Sequence, residues 1–452
     1  MSRLAIVGPS DQLRSMLVES ADAGVVELET SPEGDSGDAS EALRRLRAEG
    51  PQQLPPRLAA RPRPVIELEA QRRADLLAGE AELERRAAAA AKRGPFVVLV
   101  GWCPDRDLDN LRGRIETLGG GVVVLPRRPF AEPPTLLRTP RAAQPFSPLV
   151  EIYGTARYPD IDPTPFTAIS FVLMFGMMFA DAGHGLVLCL AGLLLRFSRI
   201  PRLASLRRSW ALPFAAGLVA TGFGVAYGEF FGPTGLIPVL WLSPLRNPLQ
   251  LLVAGVVVGA VLLAISYGIG SVNRFREGGL KDALYSNSGI AGALVFGGVG
   301  VVVLAIWLGS TVFEVLGLVP VTAGVILLFV GFFVQAGGGA TGVGEAIVEL
   351  FNSVIRLGAN SISFARLAAF GMVHAAIGSL VWTATAALFA SGAWLAAIPL
   401  FLIGNAIGFT LELVVAGIQA LRLEYYELFS RIYSGEGRPF KPWHVEVIKE
   451  AS

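Results

Sequence analysis

The chain has 452 residues, of which 52% are hydrophobic and 17% are charged, and its formal net charge is +1. A soluble protein carries about 25% charged residues, so this composition indicates a membrane protein and excludes secreted, fibrous and disordered classes. The balanced charge gives no indication of a nucleic-acid partner. Cys103 lies in a polar segment and Cys189 in an apolar one, so no disulfide framework is expected.

Residues 1–165 contain most of the charge and are predicted to form a soluble domain. The N-terminus lacks the apolar core of a signal peptide, so this domain is expected in the cytosol. Apolar runs around helical patterns predict two β-α-β units, at 4–28 and 96–125, and therefore two α/β lobes. The Ala/Glu/Arg-rich segment 65–93 predicts a helical arm about 43 Å long. A spacer arm and a locally packed helix are equally compatible with this pattern.

Residues 166–452 are predicted to form a transmembrane domain, because long apolar runs approach or exceed the about 20 residues that a spanning helix needs. The runs are 166–197, 210–232, 249–271, 288–309, 315–336, 359–390 and 394–429. Basic clusters after the first and third runs place both loops in the cytosol by the positive-inside rule. The first run must then cross an even number of times, with a short or tilted hairpin turning at 181–185. The sequence therefore predicts an α-helical bundle of about eight transmembrane helices with both termini in the cytosol.

Polar residues follow one face of each of the last two helical segments. The first stripe recurs at steps of three and four residues, which keeps its members on one helix face. Its members are Glu345, Glu349, Asn352, Arg356, Asn360, Ser363 and Arg366. The second stripe has Asn405, Glu412 and Gln419 seven residues apart, followed by Arg422. Polar groups inside a bilayer are costly unless they face protein or water, so both stripes are candidate ion-handling sites.

The last two runs are predicted to form an antiparallel pair that turns near Gly392. Arg366 and Arg422 are then at similar depth, whereas His374 and Glu412 lie level with each other ~12 to 15 Å nearer the outer face. Because arginine keeps its proton at accessible pH, two arginines would separate an outer polar pocket from an inner one and repel a passing cation. Ions would have to detour around this barrier.

Simpler interpretations remain open for both groups of residues. The two arginines could pair with Glu412 or Glu349 only to hold helices together. Asp181 and His184, in the glycine-rich bend of the first run, are also candidate functional residues. Such residues in a bend more often form hydrogen-bonded helix ends.

Other chemistry is not indicated by the sequence. Glu229 and Glu314 lie near the outer ends of their runs and are predicted to be solvated. The chain has no G-x-x-x-x-G-K-[ST] motif, so it is not expected to hydrolyse ATP alone. Its three histidines and two cysteines have no metal-ligand spacing, so no metal site and no cofactor are predicted.

Five segments between about residue 134 and the end of the sequence carry a family resemblance. They are PPTLLRTPRAAQPF, YPDIDPTPF, FVLMFGMMFADAGHG, SISFARLAAFGMVHA and LELVVAGIQALRLEYYELFSRIYSGEGRPFKPW. Together they closely resemble membrane subunit a, also known as subunit I, of the V/A-type rotary ATPases. The resemblance implies that Arg366 is the stator arginine, Arg422 a second arginine and Glu412 the channel carboxylate. His374 matches the family's histidine position.

The resemblance implies a non-nucleotide-binding membrane subunit through which proton or Na⁺ movement is coupled to ATP hydrolysis or synthesis by the whole complex. His374 and Glu412 would line an outer half-channel. The remaining half-channel residues would be Glu345, Glu349, Asn352, Asn360, Ser363, Asn405, Gln419 and Glu424. The implied partners are a proteolipid ring, peripheral-stalk subunits of the E/G type bound through the cytosolic domain, a central-stalk protein of the C/d type and membrane lipid. The implied location is a prokaryotic plasma membrane.

Some positions depart from the family pattern. Glu424 stands where some members have a second histidine, and Asn352 and Asn360 stand where some have a carboxylate and a histidine. The arm between the predicted lobes is also shorter than the family's coiled coil. The main alternative function is a secondary ion-coupled transporter, which predicts an inverted repeat that the helices do not show. A purely structural anchor is a second alternative, but it would not need two polar stripes.

Overall fold

The computed structural model describes residues 1–29, 37–49, 54–126 and 132–448. Two compact units can be distinguished. The first contains Met1–Leu136 together with the tail that begins at Gly437, and the second contains Leu137–Glu436. The first unit is a small α/β region, and the second is helical.

The strands of the α/β unit are β1 Ser2–Pro9, β2 Glu27–Leu28, β3 Arg57–Ala59, β4 Ala91–Arg93, β5 Phe96–Cys103, β6 Gly121–Val124 and β7 Glu446–Ile448. Its helices are α1 Leu13–Ala23, α2 Asp38–Glu49, α3 Val65–Ala70, α4 Ala74–Ala88 and α5 Leu108–Glu116. The main sheet is antiparallel with the order β2-β5-β1-β6. β4 pairs with the first three residues of β5. With α1 and α5, this is a ferredoxin-like β-α-β-β-α-β arrangement.

The two predicted β-α-β units do not form separate lobes. Their strands alternate in one sheet, where β1 pairs with β5 from Ser2 opposite Cys103 to Pro9 opposite Phe96. A two-stranded unit alone is marginally stable, and interleaving the two units buries their apolar strands against each other. The prediction of two lobes, each built from one unit, was therefore wrong.

The predicted continuous arm over 65–93 was also wrong. Arg72 has a φ of 53°, a left-handed conformation that ends α3 before α4 begins. Leu68 of α3 and Leu77 of α4 are buried with α2 and β3 in an apolar cluster of their own. Burial of these leucines favours a compact helical subdomain, since an extended arm would leave them in water.

The tail after Gly437 completes the α/β unit. The Trp443 indole is buried in the core of the main sheet, and its Nε1 donates to Glu82 at 2.9 Å. The backbone N–H of Trp443 donates to the carbonyl of Val26 at 2.9 Å, and the Arg86 guanidinium lies 4.3 Å from the indole ring centroid. β7 pairs in parallel with β3. The tail therefore contributes to this core.

The helical unit contains α6 Ser147–Tyr153, α7 Thr164–Met178, α8 Ala182–Phe197, α9 Ala204–Arg207, α10 Ala211–Tyr227, α11 Pro248–Tyr285, α12 Ile290–Leu308, α13 Thr311–Gln335, α14 Gly339–Ser363, α15 Ala365–Ala390, α16 Trp394–Leu423 and α17 Ser430–Ile432. A π-helical turn, Glu424–Phe429, joins α16 to α17. Within the described residues, five helical spans are long and apolar enough to cross a membrane: α11, α12, α13, α14 with α15, and α16 with its extension. α7, α8 and α10 are apolar but shorter. The chain is an integral membrane protein.

The first apolar run is broken into two short helices, as predicted. α7 and α8 have 15 and 16 residues, or ~23 Å each, and are separated at Phe179–Asp181. Both pack on α10 through glycine: a Cβ at Gly176 of α7 or at Gly185 of α8 would come within 3.0 Å of the α10 backbone. Because glycine has no side chain, the backbones of α7 and α8 can approach that of α10 closely. This approach places Asp181 beside the end of α10.

The basic segment after the third apolar run, 273–281, was predicted to be a loop. In the structure it is helical, and α11 continues to Tyr285 with one non-helical residue at Gly279. Asn273 is fully buried there. Its amide donates to the Ile432 carbonyl at 2.9 Å, and its oxygen accepts the Ile161 N–H at 2.9 Å. The buried amide therefore fixes the loop before α7 to the ends of α11 and α17.

Asp160, in that loop, is expected to make stability depend on pH. Burial, with the adjacent Glu277 carboxyl, raises the pKa of Asp160 to about 7. The unfolded pKa is about 3.9, so the folded state binds more protons between these values. The stabilisation is complete below about pH 4 and is lost as the pH rises through about 7. Asp160→Asn should therefore be more stable than wild type at pH 8. We expect its free energy of unfolding to be higher by about 1 kcal/mol, after allowance for solvent screening.

Thermal unfolding of the detergent-solubilised chain at pH 5 and pH 8 measures this effect. Asn can still accept the Arg157 N–H, which lies 3.1 Å from the Asp160 carboxylate. The difference between variant and wild type should shrink at pH 5. An equal difference at both pH values would contradict the assignment.

Candidate functional site

Ionisable residues predicted from sequence, with polar neighbours, form two groups in the helical unit. The histidine cluster contains Asp181, His184, Glu229, His374 and Glu412. The arginine cluster contains Ser363, Arg366, Arg422, Glu424 and Glu427. Aromatic and apolar side chains of α7, including Phe175, and the following Phe179 belong to the large apolar core that α15 and α16 also enter.

The pair at the centre of the histidine cluster was predicted from sequence. α15 and α16 are joined by a short loop in which Gly392 has a φ of 81°, so the turn falls where it was expected. His374 Nδ1 is hydrogen-bonded to Glu412 Oε2. The prediction that His374 and Glu412 lie level with each other is therefore confirmed. The imidazole is buried, and its Nε2 points away from Glu412 toward two further carboxylates.

Asp181 holds the end of α8 against the loop that follows α10. Its Oδ1 accepts the backbone N–H groups of His184 at 2.9 Å and Phe231 at 3.0 Å, and its Oδ2 accepts that of Gly232 at 2.8 Å. This is the helix-end role that the simpler interpretation expected. The same Oδ2 also lies 3.7 Å from His374 Nε2, so Asp181 joins the cluster as well.

Glu229 was predicted to be solvated, but the structure buries it at 4% exposure. Its Oε2 lies 3.6 Å from His374 Nε2. The prediction failed because Glu229 follows the end of α10, and α10 packs so closely on α8 that the Glu229 carbonyl accepts the Ala182 N–H at 3.0 Å. Gly224, where a Cβ would lie 2.1 Å from the Ala182 nitrogen, was the available sequence signal for this contact.

Several buried polar atoms of the histidine cluster remain unpaired. Among the described residues, no hydrogen-bond partner is found for either ring nitrogen of His184, for His374 Nε2 or for Glu229 Oε2. The imidazole planes of His184 and His374 are nearly perpendicular, with centroids 5.8 Å apart. The ligand atoms of Asp181, His184 and His374 lie within 4.8 Å of one another, a spacing that can hold a metal ion. Spacing along the chain could not reveal this group, because its members come from distant segments.

The arginine cluster lies at the junction of α14 and α15. Arg366 is the second residue of α15, and its Nη1 is buried without a hydrogen-bond partner in the described part of the chain. Arg422 is exposed near the end of α16. Ser363 and both arginines face the carboxyl group of Glu427. The predicted similarity in depth of the two arginines agrees with this shared neighbour.

The alternative in which Arg366 and Arg422 only pair with carboxylates to hold helices together does not match the observed ion pairs. Glu412 is bonded to His374, and Glu349 forms an exposed ion pair with Arg356 at 3.4 Å. Neither carboxylate is paired with Arg366 or Arg422 among the described ion pairs.

Glu424 is fully buried on the side of the π-helical turn that faces α7. The Ser170 hydroxyl lies 2.7 and 2.9 Å from its two carboxylate oxygens. A π-helical turn changes the direction of successive side chains, and such turns are frequent at functional sites. Glu424 and Glu427, which are three residues apart in this turn, are both buried. Sequence spacing could not reveal this turn, because it reads as regular helix.

The other predicted lining residues occupy more open positions. Glu345, Asn352 and the partly buried Glu349 lie on the open face of α14. Asn360, also on α14, is half-buried. On α16, the Asn405 amide donates to the Phe401 carbonyl at 2.9 Å, and Gln419 is half-buried with an unpaired Oε1 among the described residues. Their roles in ion movement remain predictions.

The fold and the two clusters define a polytopic α-helical membrane protein that carries ionisable groups inside its bundle. Residues 88–207 match the V-type ATPase 116kDa subunit family. This match agrees with the resemblance of the sequence to membrane subunit a (subunit I) of the V/A-type rotary ATPases.

Curated relatives named A-type ATP synthase subunit I match most of the chain. The protein of Thermococcus kodakarensis is 27% identical over 78% of this chain and 55% of its own length. The protein of Archaeoglobus fulgidus is 28% identical over 76% of this chain and 58% of its own length. The protein of Aeropyrum pernix is 27% identical over 93% of this chain and 68% of its own length. The matched region is thus little more than half the length of the first two relatives.

Proposed function

We propose that the chain is the static membrane subunit of a V/A-type rotary ATPase. It forms two ion half-channels against a rotating proteolipid ring and couples proton or Na⁺ translocation to ATP hydrolysis or synthesis in the head of the complex. The chain itself does not bind nucleotide. Both the similarity to proteins named A-type ATP synthase subunit I and the charged groups inside the bundle support this function.

The observation that carries the proposal is the separation of the two clusters along α15. Arg366 and His374 are eight residues apart, or ~12 Å along the helix. Arg366 keeps a buried Nη1 without a hydrogen-bond partner among the described residues, although its guanidinium faces Glu427, so one N–H of the guanidinium remains available to a ring carboxylate. A fixed cation between two polar pockets prevents a proton or Na⁺ from passing directly from one to the other.

The mechanism follows from the charge of Arg366. A ring carboxylate must be neutral while it faces lipid, because an ionised group in hydrocarbon is costly. Opposite Arg366 it becomes ionised and releases its ion into one half-channel, then takes up another from the second. The contact has to be transient, because a tight buried ion pair would stop rotation.

The histidine cluster would form the outer half-channel, with His374 and Glu412 relaying the ion and Asp181 and His184 beside them. Glu424 and Glu427, with Glu345, Glu349 and Asn352, would line the inner one. Asn360, Ser363, Asn405 and Gln419 would complete the polar lining. The open face of α14 is then available to the ring.

We propose eight membrane crossings with the domain boundary near residue 165. Residues of the N-terminal strands and of the tail after Gly437 fold into one α/β unit, so both ends lie on the same side and the number of crossings is even. Five long spans and the three short helices α7, α8 and α10 give eight among the described residues. The basic loops favour a cytosolic α/β unit by the positive-inside rule, and the proposed location is a prokaryotic plasma membrane.

The α/β unit would bind peripheral-stalk subunits of the E/G type, and the membrane unit would contact the proteolipid ring and lipid. A central-stalk protein of the C/d type is a further proposed neighbour. Co-purification of the tagged chain with a proteolipid ring and an ATP-hydrolysing head would support these partners. A purified chain that transports an ion by itself would instead support a secondary transporter.

Glu412→Gln tests the outer half-channel. The amide cannot accept and release a proton, so we expect ATP-driven ion uptake by vesicles containing the complex to fall by roughly tenfold or more. Glu314→Gln is the matched control, because Glu314 is a half-buried carboxylate in the first turn of α13 and does not belong to the cluster. Transport by Glu412→Gln equal to that of Glu314→Gln would contradict the proposed role.

A further inference from the structure

We infer that the histidine cluster can also bind a divalent transition-metal ion of the zinc class, which would block the ion relay proposed for the same residues. The ligands would be His184, His374, Asp181 and Glu229, with Glu412 supporting His374. The site lies inside the helical unit, where three segments of the chain meet: the α7–α8 bend, the end of α10 and the middle of α15.

The spacing of the ligand atoms fits a four-coordinate ion. In a tetrahedral zinc site each ligand atom is about 2.0–2.2 Å from the metal, so neighbouring ligand atoms are about 3.3–3.5 Å apart. His374 Nε2 lies 3.7 Å from Asp181 Oδ2 and 3.6 Å from Glu229 Oε2. The ligand atoms of Asp181, His184 and His374 all lie within 4.8 Å of one another. Closing this group around an ion, with Glu229 as a fourth ligand, requires the side chains to approach one another by up to about 1.3 Å.

Unpaired atoms point to a missing ligand. The nitrogens of His184, His374 Nε2 and Glu229 Oε2 are buried and have no hydrogen-bond partner among the described residues. A buried polar atom without a partner is destabilising, and groups of them in one place are unusual. Asp181 Oδ2 accepts a hydrogen bond only from Gly232 among the described contacts, so a lone pair remains for a metal. A bound cation would satisfy one nitrogen of His184 together with His374 Nε2 and Glu229 Oε2.

Glu412 provides the support that metal-binding histidines usually have. A ligating imidazole commonly donates its second N–H to a carboxylate, which fixes the ring orientation and makes the free nitrogen more basic. His374 Nδ1 is bonded to Glu412, and Nε2 is left to face the cluster. Two imidazoles with two carboxylates favour zinc-like ions over Mg²⁺ or Ca²⁺, which prefer six or more oxygen ligands.

Metal binding to the purified full chain in detergent tests the inference. After treatment with a chelator, we expect equilibrium dialysis to give one Zn²⁺ per chain. Co²⁺ as a spectroscopic probe should show the intense visible absorption of tetrahedral coordination. His184→Gln and Glu229→Gln should weaken Zn²⁺ binding by at least ~10-fold, and Glu412→Gln by ~10- to 100-fold.

His444→Gln is the matched control, because His444 is the third histidine of the chain and belongs to the α/β unit. Its affinity for Zn²⁺ should equal that of wild type. Glu229→Gln preserves side-chain shape, so it decides the result if His184→Gln does not fold. Absence of stoichiometric binding, or binding that Glu229→Gln leaves unchanged, would overturn the site. The assay needs neither a ring nor an ion gradient, so such a failure would leave the proposed function standing.

Discussion

Arg366→Ala is expected to abolish coupled ion transport by the assembled complex. Removing the guanidinium removes the fixed charge that keeps a ring carboxylate ionised and separates the two half-channels. We expect ATP-driven uptake into sealed vesicles to fall by ~100-fold or more, which corresponds to ~3 kcal/mol. Arg366→Lys should also fail, because a point charge on a flexible stem does not replace the planar fork.

Arg276→Ala is the matched control for these variants. Arg276 is exposed near the end of α11 and lies outside both clusters, so its loss should leave transport unchanged. ATP hydrolysis should be measured alongside uptake, since the head can continue to turn over when coupling is lost. Full pumping by either Arg366 variant would rule out the proposed role of Arg366 in separating the two half-channels.

Gly224→Ala is expected to destabilise the helical unit and to displace the histidine cluster. A Cβ at this position would lie 2.1 Å from the Ala182 nitrogen and 2.4 Å from the Asp181 carbonyl carbon. Both are backbone atoms, so α8 and α10 would have to separate. Such overpacking destabilises by about 1–3 kcal/mol, and the upper end applies here because no flexible side chain can move aside. Thermal unfolding in detergent measures the loss.

Gly222→Ala, two residues earlier on the same helix, provides the control. A Cβ there would meet no atom within 4 Å, so the same chemical change should be neutral. Equal melting temperatures for the two variants would show that the close approach of α8 and α10 does not matter. Transport by Gly224→Ala should also fall, since Asp181 and Glu229 move with the helix ends.

The geometry of the last helices could be predicted from sequence because it depends on counting along regular helices. Equal distances from the turn at Gly392 placed His374 beside Glu412 and Arg366 near the depth of Arg422. This reasoning needs only the rise per residue and an antiparallel pair. The break in the first apolar run was predictable for a similar reason, since the orientation of its flanking loops required one.

Contacts that depend on irregular backbone could not be predicted. The π-helical turn that buries Glu424 reads as ordinary helix, and the position of Glu229 at the end of an apolar run indicated a solvated side chain. In the α/β unit, each β-α-β pattern was recognised, but the pairing of strands from the two patterns is a long-range choice that local periodicity does not encode. The kink at Arg72 has no glycine or proline to mark it.

The insertion of Trp443 into the α/β core has a consequence for biogenesis. Strands β1 to β6 can close their core only after the ribosome has produced the membrane helices and the tail that carries Trp443. Val26, Glu82 and Arg86 lack this contact until then. A nascent chain interrupted within the membrane region would leave an unfilled apolar slot in the α/β unit. The protease sensitivity of this unit thus reports whether translation has passed Trp443.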